Sequence, residues 1–89
     1  MNYHVCYEPR AWKELSDLPE KVRNSIDDAV LALSNDPRPQ GCKKLEDSSG
    51  DFYRIRIRDY RVVYVVEDDN CYVIAVRVGN RKQVYEKRR

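Results

Sequence analysis

The sequence predicts an α+β fold: a small, mostly meander antiparallel β-sheet with an N-terminal strand and an α-helical hairpin packed on one face, in the order β-α-α-β-β-β(-β). Three observations carry this. Apolar residues recur at the helical period through residues 9–33, then switch to a period of two from Lys43 onward. The late strands are joined by links too short for anything but antiparallel hairpins. Finally, 89 residues with 42% hydrophobic and 36% charged content suit one folded unit, residues 1–89.

Residues 2–7 alternate weakly and read as a first strand. Pro9 follows where a first helical position tolerates it, and Ala11, Trp12, Leu15 and Leu18 give a short amphipathic helix. Pro19 restarts the chain. Val22, Ile26, Ala29, Val30 and Leu33 form a cleaner stripe, and that second helix should end near Ser34-Asn35, because Asp36-Pro37-Arg38-Pro39 cannot continue it. A short strand over Cys42–Leu45 precedes a turn at Asp47-Ser48-Ser49-Gly50. Asp51–Arg58, Arg61–Glu67 and Cys71–Val78 then read as three strands rich in Val, Ile and Tyr, linked by Asp59-Tyr60 and Asp68-Asp69-Asn70.

Net charge is +2, and its distribution is uneven. Residues 1–50 carry seven Lys/Arg against nine Asp/Glu, a net −2, whereas residues 51–89 carry ten against six, a net +4. Eight of those ten cations are arginines: Arg54, Arg56, Arg58, Arg61, Arg77, Arg81, Arg88 and Arg89. Arginine grips phosphate bidentately and keeps its charge at any working pH. The asymmetry points to a polyanion site on the C-terminal half. Cys6, Cys42 and Cys71 are odd in number and form no C-x-x-C pair, and His4 has no ligand set near it in sequence. The three cysteines read as small, partly buried hydrophobes, with no metal site and no cofactor expected. The start of the sequence lacks a basic segment followed by an apolar block, and no apolar run approaches the ~20 residues of a membrane span, so a cytoplasmic protein with no membrane partner is expected.

Alternate strand residues share a face, so Arg54, Arg56 and Arg58 should stand in one row, roughly 6–7 Å apart, opposite Tyr53, Ile55 and Ile57. A two-residue turn would place Arg58 opposite Arg61, and a longer one would shift that pairing. Neighbouring cations repel, and a solvated sheet face is the alternative to a phosphate site for such a row. Arg77, Arg81 and Lys82 fall near the end of the last strand, with Tyr85 four residues beyond Arg81.

Two segments resemble the RelE/ParE toxin superfamily: Asp51-Phe-Tyr-Arg-Ile-Arg-Ile-Arg-Asp-Tyr-Arg-Val-Val-Tyr64 and Val76-Arg-Val-Gly-Asn-Arg-Lys-Gln-Val-Tyr85. The likeness extends to Ala11–Leu18 and to the helix ending at Asp36-Pro37-Arg38, and so spans nearly the whole chain. It implies the toxin of a type II toxin–antitoxin system, of the RelE type: a ribosome-dependent, metal-independent endonuclease that cuts mRNA in the ribosomal A site. Carried over by position, Arg54, Arg56, Arg61, Arg81 and Tyr85 form the active constellation, with Arg58, Arg77 and Lys82 as RNA contacts. The implied partners are a RelB-like antitoxin, the ribosome and mRNA, with DNA reached only through the antitoxin. A ParE-like inhibitor of DNA gyrase, without nuclease activity, is the alternative. Arg81 and Tyr85 together favour the nuclease branch. Some nuclease members carry lysine where this chain has Arg54 and Arg56, and an arginine cannot serve as a general base. Tyr85 then either takes the 2′-OH proton or stacks on a base.

Overall fold

Two prolines punctuate the helical half of the chain. In the computed structural model, which describes residues 2–45 and 51–80, strand β1 (His4–Tyr7) gives way to helix α1 (Pro9–Ser16), with Pro9 in its first turn. The ring presets the backbone there, and the missing N–H would have had no helical partner. Ala11 and Leu15, four residues apart, are fully buried. Pro19 caps α2 (Glu20–Ala32), whose Ile26 and Val30 are buried together with Leu33 just past its end. The chain then leaves the helix before Pro37, as the sequence requires.

The rest is strand: β2 (Lys43–Lys44), β3 (Phe52–Ile57), β4 (Tyr60–Glu67) and β5 (Tyr72–Asn80). The expected strand boundaries hold to within two residues. The sheet, however, is not a pure meander. Its order is β1-β5-β4-β3-β2, and β1 runs parallel to β5, pairing His4 with Tyr72 through Tyr7 with Ala75. The long α1–α2 connection lets the first strand take the far edge beside the last, which a parallel pairing requires. Alternation along a strand predicts which face is buried, but not which edge a strand joins.

One face of the sheet meets the helices. Tyr53 and Ile55 from β3, Val62, Tyr64 and Val66 from β4, and Val73, Ala75 and Val78 from β5 pack with the helical residues in a single cluster. Ile57 packs against its margin. A β-bulge between β4 and β5 sets Val63 opposite Arg77 and Tyr64 opposite Ala75, leaving Val76 as the extra residue. Among the described residues no helix is long and apolar enough to cross a membrane.

Tyr64, at 0% exposure, anchors the loop after α2 by donating its hydroxyl to the Pro37 carbonyl at 2.8 Å. Burial pushes its phenol above the ordinary range, so it remains a donor at any working pH. Arg38 completes the anchor. Its Nε donates to the Tyr53 hydroxyl at 2.8 Å, its two terminal nitrogens reach both oxygens of Asp68, and the Tyr3 hydroxyl donates to Asp68 at 2.8 Å. This ties the helix-to-sheet connection to β3, to the β4–β5 turn and to the start of the chain. Tyr64→Phe should lower unfolding free energy by about 1–2 kcal/mol in urea titration with an unchanged m value, since a buried carbonyl loses its donor. The hydrogen bonds from Arg38 and Tyr3 hold the Asp68 carboxyl below its usual value. Its contribution to stability is therefore present above pH ~4 and is lost as pH falls through the lowered native value. Asp68→Asn should flatten that part of the acid unfolding curve while leaving the neutral-to-alkaline part unchanged.

Candidate nucleic-acid interface

Arg54 and Arg56 alternate in β3 and so project from the sheet face turned away from the helices. The β3–β4 hairpin closes on the pair Ile57–Tyr60, so its two loop residues are Arg58 and Asp59. The turn lies one residue earlier than the link expected at Asp59-Tyr60. The pairing of Arg58 with Arg61 is thereby replaced by Arg56 with Arg61. Arg58 instead takes φ 57°, a left-handed conformation that costs an L side chain about 1–2 kcal/mol, and its side chain is exposed in the turn. Nothing in the local sequence, which has no glycine or asparagine there, signals such a turn.

The row that results is Arg54, Arg56 and Arg61, with Lys43 of β2 opposite Arg54 and Gly79 of β5 opposite Arg61. Its burial is unusual for arginine. Arg54 is 9% exposed and Arg61 8%, while Arg56 is exposed. The Arg54 Nε is fully enclosed and has no hydrogen-bond partner. The ion pairs among the described residues engage Arg10, Lys13, Arg38, Lys44 and Arg77, and neither Arg54 nor Arg61. An enclosed cation without a counter-charge is costly, by several kcal/mol even after relaxation. Such a site is complementary to an anion with several acceptor oxygens, which a phosphodiester provides.

Beside the row, an open cleft of about 830 Å³ separates the end of α2 from β3. Ala32, Leu33 and Ile57 give it an apolar wall, and Lys43, Arg54 and Arg56 give it a cationic rim. Lys43 was not singled out by the sequence. It lies outside the arginine-rich half, and only the β2–β3 register brings it in.

Arg77 has a different environment. Its side chain is 13% exposed, and its Nε donates to Glu14 Oε2 of α1 at 2.9 Å. The same carboxylate accepts the Val78 backbone N–H at 2.8 Å through Oε1. The charge of Arg77 is thus met by α1, so it adds less to an anion site than the row does. Arg81, Lys82 and Tyr85 lie outside the described residues; β5 ends at Asn80, opposite Tyr60 and next to the Gly79–Arg61 pair.

Comparison with known proteins shows the family. The profile of the family described as "ParE toxin of type II toxin-antitoxin system, parDE" matches residues 5–85. The chain belongs to the RelE/ParE family of type II toxins. The mRNA interferase toxin RelE of Escherichia coli is 32% identical over 93% of this chain and 87% of its own length. Toxin RelE of Mycobacterium tuberculosis is 32% identical over 93% and 86%. The archaeal RelE of Pyrococcus horikoshii, solved as a RelE–RelB complex, superposes with a TM-score of 0.79 at 28% identity, covering 91% of this chain and 97% of that one.

Within this RelE/ParE toxin, two substitutions separate stability from function. Arg54→Met keeps an unbranched apolar stem and removes an enclosed charge that has no partner among the described residues, so it should raise stability by about 1–3 kcal/mol in chemical denaturation. Arg58→Gly relieves the left-handed turn residue and should raise it by about 1 kcal/mol. A stability unchanged or lowered in both would contradict the burial and the turn described above.

Proposed function

We propose that this toxin is a ribosome-dependent endoribonuclease that cuts mRNA in the A site and so halts translation in the cytoplasm, where ribosomes are. One observation carries the reading: Arg54 and Arg61 are enclosed, with no counter-charge among the described residues, on the same sheet face as Arg56, a constellation that an RNA phosphate completes. The likeness to proteins named RelE and mRNA interferase supports the same conclusion. The matching profile bears the ParE name, which keeps a gyrase-binding toxin as the second reading. A binding toxin has no need of enclosed cations lacking counter-charge, whereas phosphoryl chemistry does.

The chemistry is transesterification followed by release. The ribose 2′-OH attacks the adjacent phosphorus, the P–O5′ bond breaks, and the products are a 2′,3′-cyclic phosphate and a 5′-OH. The proton leaving O2′ must pass to a base, and the departing O5′ must gain one. Arg54 and Arg61 hold the charge that builds on the non-bridging oxygens, in a low-dielectric setting where that stabilisation is strong. Arg56 braces the phosphate from the solvent side. The row is wholly cationic and repels a divalent ion, so charge neutralisation falls to the guanidinium groups themselves. Arginine keeps its protons, so the base must come from elsewhere, with Tyr85 or the ribosome-held substrate as the candidates, and Arg81 joins the charge clamp. With no acid–base pair in the row, free RNA should be cut poorly, the ribosome supplying orientation.

The partner that restrains such a toxin is a RelB-like antitoxin. Its segment would place carboxylates over Arg54, Arg56 and Lys43 and apolar side chains in the cleft beside α2, and DNA would be met only through it. Brief induction of the toxin alone, followed by mapping of transcript 5′ ends, should show new ends within codons of translated messages. DNA damage with intact messages would favour the gyrase reading. Arg61→Ala should reduce A-site cleavage on programmed ribosomes by a factor on the order of 10²–10³. Cleavage at the wild-type rate would remove Arg61 from the site. Arg54→Met, though more stable, should lose cleavage to a similar degree.

A further inference from the structure

The β1–β5 pairing stops at Ala75, where the Glu8 N–H makes its last bond to β5. Among the described residues, no strand lies beside the outer edge of β5 from Val76 to Asn80, yet this is the segment that borders Arg61. A side chain from α1 bonds to this edge. Glu14, on the second turn of α1, is 24% exposed and binds the strand at two points: Oε1 accepts the Val78 N–H at 2.8 Å and Oε2 accepts from Arg77 Nε at 2.9 Å. Arg10 approaches the same carboxylate at 3.9 Å, one turn earlier. The bulge at Val76 lies just before this contact, so the strand re-enters its register at the residues that Glu14 holds.

We propose that Glu14 is a positioning residue of the phosphate site, one that acts by clamping the end of β5 against Arg61. The ladder geometry gives the reason. Residues of an antiparallel strand direct their N–H groups alternately to the two sides. With the Val78 N–H drawn outward to Glu14, the Gly79 N–H turns inward to β4, where its partner is Arg61. The clamp therefore fixes the backbone paired with Arg61. Past the bulge the strand is paired with β4 on one side, and its other side has no ladder among the described residues to oppose a shift of its end. Charge-assisted bonds to a half-buried carboxylate resist that. Glu14 touches no substrate in this arrangement. It rests on the nuclease reading for its consequence in catalysis, but not for its effect on the strand.

The test compares Glu14→Ala and Glu14→Gln with the wild-type chain by three measurements: amide hydrogen exchange at Val78 and Gly79, single-turnover cleavage on programmed ribosomes, and affinity for those ribosomes. Glu14→Gln keeps an acceptor for the Val78 N–H. It should retain slow exchange and cleave within about threefold of wild type. Glu14→Ala should exchange Val78 and Gly79 at least tenfold faster while the Tyr64 and Val66 amides stay protected. Its cleavage rate should fall on the order of 30–100-fold, the size expected of a displaced catalytic group, with ribosome affinity changed less than threefold. Three outcomes overturn the proposal: wild-type exchange in Glu14→Ala, equal losses in Glu14→Gln and Glu14→Ala, or a rate loss matched by lost ribosome affinity. A wild-type chain that cuts no message defeats the nuclease reading instead, and the clamp is then decided by exchange alone.

Discussion

Enclosed positive charge with no partner among the described residues is the constraint around which this toxin is organised. Arg54 and Arg61 occupy sheet positions where a protein ordinarily places valine or threonine, and Arg61 stands directly across from Arg56. Repulsion between them and loss of water both oppose folding. The sheet tolerates this because its other face is thoroughly apolar. Val62, Tyr64, Val66, Val73 and Ala75 are essentially inaccessible and meet helices whose own buried residues are small or branched. One face supplies the stability that the other consumes.

That division explains why the surrounding anchors are polar and multiple. A small sheet with a strained face needs its edges held. Tyr64 ties the post-helical loop to β4, Arg38 ties the same loop to β3 and to the β4–β5 turn, and Glu14 holds the strand end that β1 does not reach. Each anchor joins residues far apart in sequence, from 15 positions for Arg38 and Tyr53 to 64 for Glu14 and Val78. Together they convert a flexible cationic surface into a fixed one. Fixed donors stabilise developing charge far better than mobile ones, since no reorganisation is needed at the moment of reaction.

Much of this was legible in residue order, for identifiable reasons. Period-two alternation put Arg54 and Arg56 on one face and Tyr53 and Ile55 on the other, because strand geometry leaves no other arrangement. Helix ends followed from Pro9, Pro19 and Pro37, which restrict the backbone locally. Register did not follow. The β3–β4 turn closes on Arg58 and Asp59 with Arg58 in a left-handed conformation, and no residue type there announces it, so the pairing of Arg56 with Arg61 had to come from the structure. The parallel seat of β1, the arrival of Lys43 opposite Arg54 and the capture of Arg77 by Glu14 are likewise tertiary facts. They depend on which distant segments meet, and nothing near those residues in sequence specifies that. Motif likeness supplied the functional hypothesis that periodicity alone could not.

The same burial that suits a phosphate also shapes how such a toxin is restrained. Any ligand that binds only the folded chain stabilises it in proportion to the logarithm of its concentration over its dissociation constant. An acidic segment laid over Arg54, Arg56 and Lys43 would supply the missing counter-charge, and the apolar cleft wall beside α2 would add burial that RNA cannot use. On the proposed reading, antitoxin and substrate would compete for one electrostatic deficit, but only the antitoxin would gain from the neighbouring hydrophobic surface. That asymmetry would let a protein partner outcompete a far more abundant nucleic acid without any change in the fold. It would also make the free toxin the less stable form, so that release from the antitoxin would expose the cationic row and lower stability in a single step.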